Sequence, residues 1–456
     1  MKVFLKDIAD RYPEFEVLNY NEEAFFTRFN HDSRDIREGD IFVPIVGDNF
    51  DGHDFINDAL SKGASMALCE NSKYSVLEET DKPIILVDSI EEGLEKIVNY
   101  AISPITAPVI AITGSTGKTT TKQMLVKILE SKKSVLFSDS FNTVWGNAML
   151  LSEYSGEDVI ALECGMDRKG EIAWHCNSFD PEIGILLNVG YVHAEKLGSI
   201  EEVYQEKKNL ADYLSKNGKP LVLNIDDDRL ARIAKYYQGE LITVGSIKNA
   251  DFRFKNVVVN DDGTDFNMYY KGKEYPVHIN AYGEELAYNA VCAIACAYQL
   301  GIELDSCLKH IRDFNANNGR FETVKYGDDF VVVNDAYNAN PTSMKMSLKT
   351  FDSLYSANEY YRIAVLGDMR ELGDVSSELH SELAKEVQTY EFNEIYYLGN
   401  YSSDFNLGKF IESPDEMATL LINKKEELRN KKVAVLLKGS HGVGIYKITE
   451  FLKELE

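Results

Sequence analysis

The chain has 456 residues, 44% hydrophobic and 27% charged, enough core material for about three domains and too much for a largely disordered protein. A formal net charge of −26 repels polyanions, which excludes an extended DNA or RNA interface and requires any anionic ligand to be held locally. The start, MKVFLKDIADRYPEF, lacks an apolar run of signal-peptide length, and no stretch approaches the roughly 18 apolar residues of a membrane span, so a cytoplasmic protein without membrane insertion is expected. Cys69, Cys164, Cys176, Cys292, Cys296 and Cys307 form no CxxC pair and read as core thiols in a reducing compartment, with Cys292 and Cys296 on one face of an apolar helix.

Short apolar runs recur between helix-length segments. In chain order they are PIILV ending at Val87, APVIAIT ending at Thr113, DVIALE ending at Glu163 and IGILL ending at Leu187, followed by LVLNI, FVVVN, RIAVL, IYYL and VAVLL. Such runs, rich in Val, Ile and Leu, predict α/β domains with parallel sheets and helical crossovers. From Asp251 to Asn280 apolar and polar residues alternate around Asp262-Gly263 and Lys271-Gly272, which predicts a small antiparallel meander. Turn residues at SPITAP, 103–108, and NANNGR, 315–320, divide the chain into expected domains 1–104, 105–316 and 317–456.

The strongest motif is Thr113-Gly114-Ser115-Thr116-Gly117-Lys118-Thr119-Thr120, which follows an apolar strand and opens an amphipathic helix. In such a loop backbone N–H groups and the helix N-terminus cradle phosphates, the lysine meets the β/γ oxygens, and the threonine hydroxyl meets magnesium. It is not a full Walker A, since Ile112 stands where that pattern has glycine. Glu163 ends a buried strand near the loop, where parallel sheets place magnesium ligands and catalytic groups, although a solvated strand-end acid is the ordinary alternative. His193 also follows a strand, and Lys207 lies in the mixed-charge helix EEVYQEKKNLADYL; taken alone, both fit structural or solvated roles.

Together these segments resemble the Mur ligases nearly end to end. HDSRDIREGDIFVPIVGDNFDGHDFINDALSKGA, with Asp32-Ser33-Arg34 and Asp51-Gly52-His53, is similar to the family's UDP-binding domain, and TGSTGKTTTK to its phosphate loop. NDAYNANPTSM, 334–344, and LGDMRELG, 366–373, resemble the branch that adds D-alanyl-D-alanine to a UDP-linked muramoyl tripeptide. The resemblance implies a UDP-binding α/β domain, a central P-loop ATPase-like parallel sheet with the meander, and a Rossmann-like C-terminal domain that binds nucleotide and incoming amine.

Residue roles follow by the same resemblance. Gly114, Ser115, Thr116, Gly117, Lys118, Thr119 and Thr120 would bind ATP, with Asn289 at adenine and Arg320 and Asp335 closing over the nucleotide. Lys118, Lys207, His193 and Glu163 would form the catalytic set. Thr119 and Glu163 would hold one magnesium ion; His193 and Lys207, the latter as a CO2-derived carbamate, would serve a second. Ser33, Arg34, Asp51, Gly52, His53 and Asn142 would meet the UDP-linked acceptor, and Tyr337, Asn338, Asn340, Ser440 and His441 the amine. A monomer is expected.

Departures from the family pattern gather on the substrate side. Thr116 replaces the usual Asn; FNTVWGNAM replaces N-x-N-N-x-x-G-[VL]-P, keeping Asn142 and Gly146; GEELAYN replaces G-x-H-N-x-x-N; and His441 stands where Arg is usual. The implied chemistry is acyl-phosphate formation followed by amide synthesis. The rival readings are a Mur-like ligase acting on a different precursor, a folylpolyglutamate-synthase-like enzyme, and a nucleotide-binding protein without catalysis. The DSR and DGH segments argue against the folate reading, and the joint presence of Lys118, Glu163, His193 and Lys207 against the last.

Overall fold

The computed structural model describes residues 1–47, 50–192, 194–315 and 319–452. The expected α/β class holds: three sheets, of nine, six and five strands, carry the fold, alongside two small two-stranded ribbons. No described helix is long and apolar enough to cross a membrane.

The central sheet contains β1 (Val109–Thr113), β2 (Val135–Leu136), β3 (Val159–Glu163), β4 (Ile183–Leu186), β5 (Leu221–Asn224), β6 (Leu241–Gly245), β7 (Phe252–Asn260), β8 (Gly263–Tyr270) and β9 (Lys273–Ile279). Their order is β2-β3-β1-β4-β5-β6-β7-β8-β9. Strands β1, β3 and β4 are buried along their whole length, which is why they read as unbroken apolar runs. The meander predicted over 251–280 is β7 to β9, paired antiparallel. It does not stand apart, because β7 joins β6 through Val244 opposite Phe252 and so extends the parallel sheet.

Helices α1 (Lys118–Leu129), α2 (Val144–Ser152), α3 (Glu171–Phe179), α4 (Ile200–Lys216) and α5 (Glu284–Gln299) pack around this sheet. The run AVCAIACA of α5 is buried throughout, and its small side chains let α5 lie against both the sheet and α1. All six cysteines are buried and free, as expected of core thiols.

Toward the amino terminus, Glu16–Leu18, Ile84–Val87, Met66–Glu70, Asp40–Phe42 and Arg28–Asn30 form the five-stranded sheet in that spatial order. The apolar residues on one of its faces, among them Ile41, Leu68 and Ile85, and those on one face of the central sheet belong to a single hydrophobic cluster, which joins the two units by packing, while Phe42, Ala67, Ile84 and Leu86 on its other face form a separate cluster. Toward the carboxyl terminus, β10 (Glu322–Lys325), β11 (Phe330–Asn334), β12 (Tyr360–Gly367), β13 (Glu394–Leu398), β14 (Lys409–Phe410) and β15 (Lys432–Lys438) lie in the order β10-β11-β15-β12-β13-β14. Helix α6 (Pro341–Leu354) follows β11 and starts at an Asn340–Ser343 capping box.

Candidate active site

The register of the central sheet builds the site. β3 pairs with β1 so that Glu163 lies opposite Ile112, one residue before Thr113 ends β1. The loop from Gly114 to Gly117 then turns into α1, with Gly117 at φ +82° in the left-handed region that glycine enters without strain. Any side chain there would also strike the Asn289 carboxamide, since an added Cβ would lie 2.6 Å from its Oδ1. Asn289, expected near adenine, therefore packs directly against the phosphate loop.

Asn188, just past β4, holds the loop open. Its Oδ1 accepts from the N–H groups of Ser115 and Thr116 at 3.0 and 2.9 Å, and its Nδ2 donates to Thr116 O at 3.1 Å. The Ser115 hydroxyl donates to Gly190 O at 3.1 Å, and Gly190 N–H donates back at 2.8 Å. Lys118 Nζ donates to Gly114 O at 2.9 Å, folded over the loop it caps. Burial pushes the Lys118 ammonium below its usual range, against the opposing pull of Glu163.

Thr119 and Glu163 meet as expected, with Thr119 Oγ1 donating to Glu163 Oε2 at 2.9 Å. Two cations flank the pair. Lys122, fully buried one turn further along α1, lies 3.2 Å from Glu163 Oε2 and also donates to Ser138 O. Arg320 Nη2 donates to Thr119 Oγ1 at 3.0 Å. Its guanidinium carbon sits 4.3 Å from the centre of the Tyr337 ring. Gly319 and Phe321, on either side of Arg320, are both left-handed at φ +74° and +53°. That kink aims Arg320 back at α1, and Asp335 Oδ1 stabilises it by accepting from Phe321 N–H at 3.1 Å.

A cleft of about 550 Å³ runs between the phosphate loop and the C-terminal sheet. Ser115 to Thr120, Asn142, Glu163, Asn289, Arg320, Asp335, Tyr337, Asn338 and Asn340 line it. Lys438, at the end of β15, lines it too, 2.8 Å from Asp335 Oδ2 and 2.9 Å from Asn338 O. Ser440 and His441 do not line the cleft. Ser440 Oγ accepts from Arg370 N–H at 2.9 Å, and His441 stacks on Tyr446 with centroids 4.4 Å apart.

Lys207, on α4, is 1% exposed, and its Nζ lies 3.7 Å from Met166 Sδ. Burial, reinforced by the nearby Lys118 charge, pushes its amine well below the usual lysine range. His193 lies outside the described residues.

The amino-terminal candidates are separate from the cleft. Arg34 is exposed and pairs with Asp32 at 2.7 Å, while Ser33 is buried. His53 is fully buried: its Nε2 accepts from Glu70 N–H at 3.2 Å, so Nδ1 carries the proton and donates to Asp51 Oδ1 at 2.6 Å. Gly52 presses so closely on the Ile45 backbone that a side chain there has no room.

Lys122, Asn188 and Lys438 were not among the expected site residues. Lys122 looks like a solvated helix lysine until the sheet register puts Glu163 beside it. Asn188 follows the apolar strand β4 by two residues and Lys438 ends β15, the kind of position that singled out Glu163.

The comparisons with known proteins agree with this geometry. Residues 26–101 match the family described as Mur ligase family, catalytic domain; 112–297 match the Mur ligase middle domain; and 319–441 match the Mur ligase, glutamate ligase domain. The UDP-N-acetylmuramoyl-tripeptide–D-alanyl-D-alanine ligase of Bacillus subtilis is 28% identical over 93% of this chain and 92% of its own length. Its counterpart in Synechocystis is 30% identical over 84% of this chain and 82% of its own. A crystal structure of MurF ligase from Thermotoga maritima in complex with ADP superposes with a TM-score of 0.82 at 28% identity, covering 94% of this chain and 97% of that one. With three domain matches in sequence along the chain and a relative at 30% identity over most of its length, the chain belongs to the Mur ligase family.

Proposed function

We propose that the protein is an ATP-dependent, ADP-forming ligase that joins D-alanyl-D-alanine to a UDP-N-acetylmuramoyl tripeptide in peptidoglycan precursor synthesis. The observation that carries this reading is the convergence on one cleft of the phosphate loop, with Lys118 and Glu163, and the segment 334–344, with Asp335, Tyr337 and Asn340. Relatives bearing that activity in their names align over more than nine-tenths of the chain. Residues 1–104 would hold the UDP end, 105–316 the ATP, and 317–456 the nucleotide's outer side and the amine.

In the first step an oxygen of the tripeptide's terminal carboxylate attacks the γ-phosphorus, the bond to the β–γ bridging oxygen breaks, and ADP leaves. The loop N–H groups and Lys118 stabilise the charge that spreads over the transferring group. In the second step the amine of D-alanyl-D-alanine attacks the acyl carbon, the acyl–oxygen bond to phosphate breaks, and the nitrogen gives up a proton. Water would hydrolyse the acyl phosphate, so the two steps belong in a cleft walled from both sides, as this one is by the phosphate loop on one side and Arg320 and Tyr337 on the other.

Thr119 and Glu163 fit a hard divalent cation, a hydroxyl and a carboxylate with oxygens 2.9 Å apart at the mouth of the phosphate loop. Magnesium takes few protein ligands and completes its shell with phosphate oxygens and water; bound there it would neutralise phosphate charge. Lys207 suits the carbamate role because burial disfavours its protonated form, and the unprotonated amine is the nucleophile toward CO2. Its nitrogen bonds to the carbon of CO2, one C–O electron pair moves to oxygen, and an N–H proton is lost. That turns an amine near Lys118 into an anion able to serve a second magnesium with His193.

The replaced stretch FNTVWGNAM and His441 favour a second reading on the substrate side only, the same chemistry on a different precursor or amine. A matrix of UDP-linked acceptors against amines, read by product mass, separates the two. Amide formation with D-alanyl-D-alanine on a muramoyl tripeptide, far above any single amino acid, is the expected result. Preference for a free amino acid would move the protein to another branch, and failure of every muramoyl acceptor would favour the second reading.

A further inference from the structure

A second cavity, of about 160 Å³, opens beside the cleft, and Lys118 and Asn142 line both. Its size suits one amino-acid residue, and its described lining comes from the central unit, with none from the C-terminal sheet. The walls are Val144, Trp145, Met166 and Trp174, with Asp167 and Glu171 as the acidic lining groups. Trp145 and Trp174 meet edge to face, with centroids 5.1 Å apart and planes at 80°. Trp145 belongs to the stretch in which this chain departs from its family.

Trp174 is 7% exposed, and its indole N–H has no hydrogen-bond partner among the described residues. An unpaired buried donor is destabilising, and a carbonyl oxygen brought in by a ligand offsets that cost. Lys196 and Arg168 are half exposed, paired with Asp167 and with Glu91 and Glu171, and neither lines the cavity. Lys118 is the one lysine or arginine among the described lining residues, and the ligase reading assigns it to phosphate.

We propose that this cavity holds the terminal residue of the acceptor peptide, and that Trp145 makes it selective for an aliphatic side chain ending in an amine over one ending in a carboxylate. The inference rests on the ligase reading and narrows its substrate. The methylene chain lies along the indole walls, and the ammonium reaches the acidic rim. A side-chain carboxylate, as in diaminopimelate, would instead be desolvated against apolar walls and face Asp167 and Glu171.

The test uses the full-length enzyme with two UDP-N-acetylmuramoyl tripeptides that differ only in ending with L-lysine or meso-diaminopimelate. Trp145 and Trp174 are the chain's two tryptophans, so intrinsic emission reports on this cavity. The lysine tripeptide is expected to shift the emission and to react with kcat/KM about tenfold or more above the diaminopimelate tripeptide. Trp145→Ala should raise KM for the lysine tripeptide about tenfold and leave KM for ATP within about twofold, with Trp145→Phe intermediate. Equal or better use of the diaminopimelate tripeptide, or unchanged emission with both, overturns the proposal. An emission shift without turnover of either would uphold the cavity as a binding site and count against the ligase reading instead.

Discussion

Arg320 donates a hydrogen bond to Thr119 Oγ1 at 3.0 Å across 201 residues of sequence, and so ties the C-terminal unit to the phosphate loop. The same hydroxyl gives its proton to Glu163, so one oxygen links the arginine to the carboxylate proposed to hold magnesium. On the proposed reading, nucleotide and metal bound at the loop would take Thr119 from Arg320 and leave the guanidinium to meet phosphate. Arg320→Ala should therefore lower kcat/KM for ATP by about 10²- to 10³-fold, measured as ADP release. A loss of less than about threefold would show that Arg320 only ties the units together.

Lys207→Ala should be nearly inactive, and a short carboxylic acid such as acetate or propionate should restore part of the rate by supplying the missing anion. The wild-type enzyme should also lose activity in buffer stripped of CO2 and regain it on adding bicarbonate. Both assays are steady-state rates at fixed ATP. Indifference of the wild-type enzyme to CO2 would rule out the carbamate.

Lys122 and Glu163 are a buried ion pair at 3.2 Å, with side chains 0% and 6% exposed. Removing one partner leaves a buried charge uncompensated, so Lys122→Met should cost about 3–5 kcal/mol of stability in urea unfolding. Adding Glu163→Gln should recover much of that loss in stability while leaving activity low, because the proposed magnesium ligand is then gone. Additive losses in the double variant would mean that the pair does not interact.

Burial holds the His175 imidazole neutral, pushed down to about 4. The unfolded chain protonates this residue near pH 6.5, so between about 6.5 and 4 the unfolded state binds more protons and stability falls as pH falls. The loss through that window is roughly 3 kcal/mol, fully expressed only near pH 4. Urea unfolding at pH about 7, 5.5 and 4.5 should show a shallower decline in His175→Gln than in the parent. Parallel declines would mean that His175 does not titrate differently in the two states.

Much of the site was legible because it is local. Thr113 to Thr120 carry strand, loop and helix in one stretch, and the apolar run ending at Glu163 announces a carboxylate at a sheet edge. The meander showed in its alternation and turn residues, but its joining to the parallel sheet did not, since β6–β7 pairing depends on which edge is free. The short strands β10 and β14 were missed because few residues at a sheet's margin carry little periodicity.

By itself, the sequence determined the α/β class, the phosphate loop and the residue types available for phosphate, metal and amide chemistry, because hydrophobic period and turn chemistry act between neighbours in the chain. Only the tertiary structure decided that Lys122 belongs to Glu163, that Asn188 braces the loop amides, that Lys207 is buried against Met166 with its amine pushed below the usual lysine range, and that Trp145 meets Trp174. The reason is physical. Register and helix packing set which distant side chains share a low-dielectric space, and a lysine's charge or a tryptophan's partner depends on that space rather than on its neighbours in sequence.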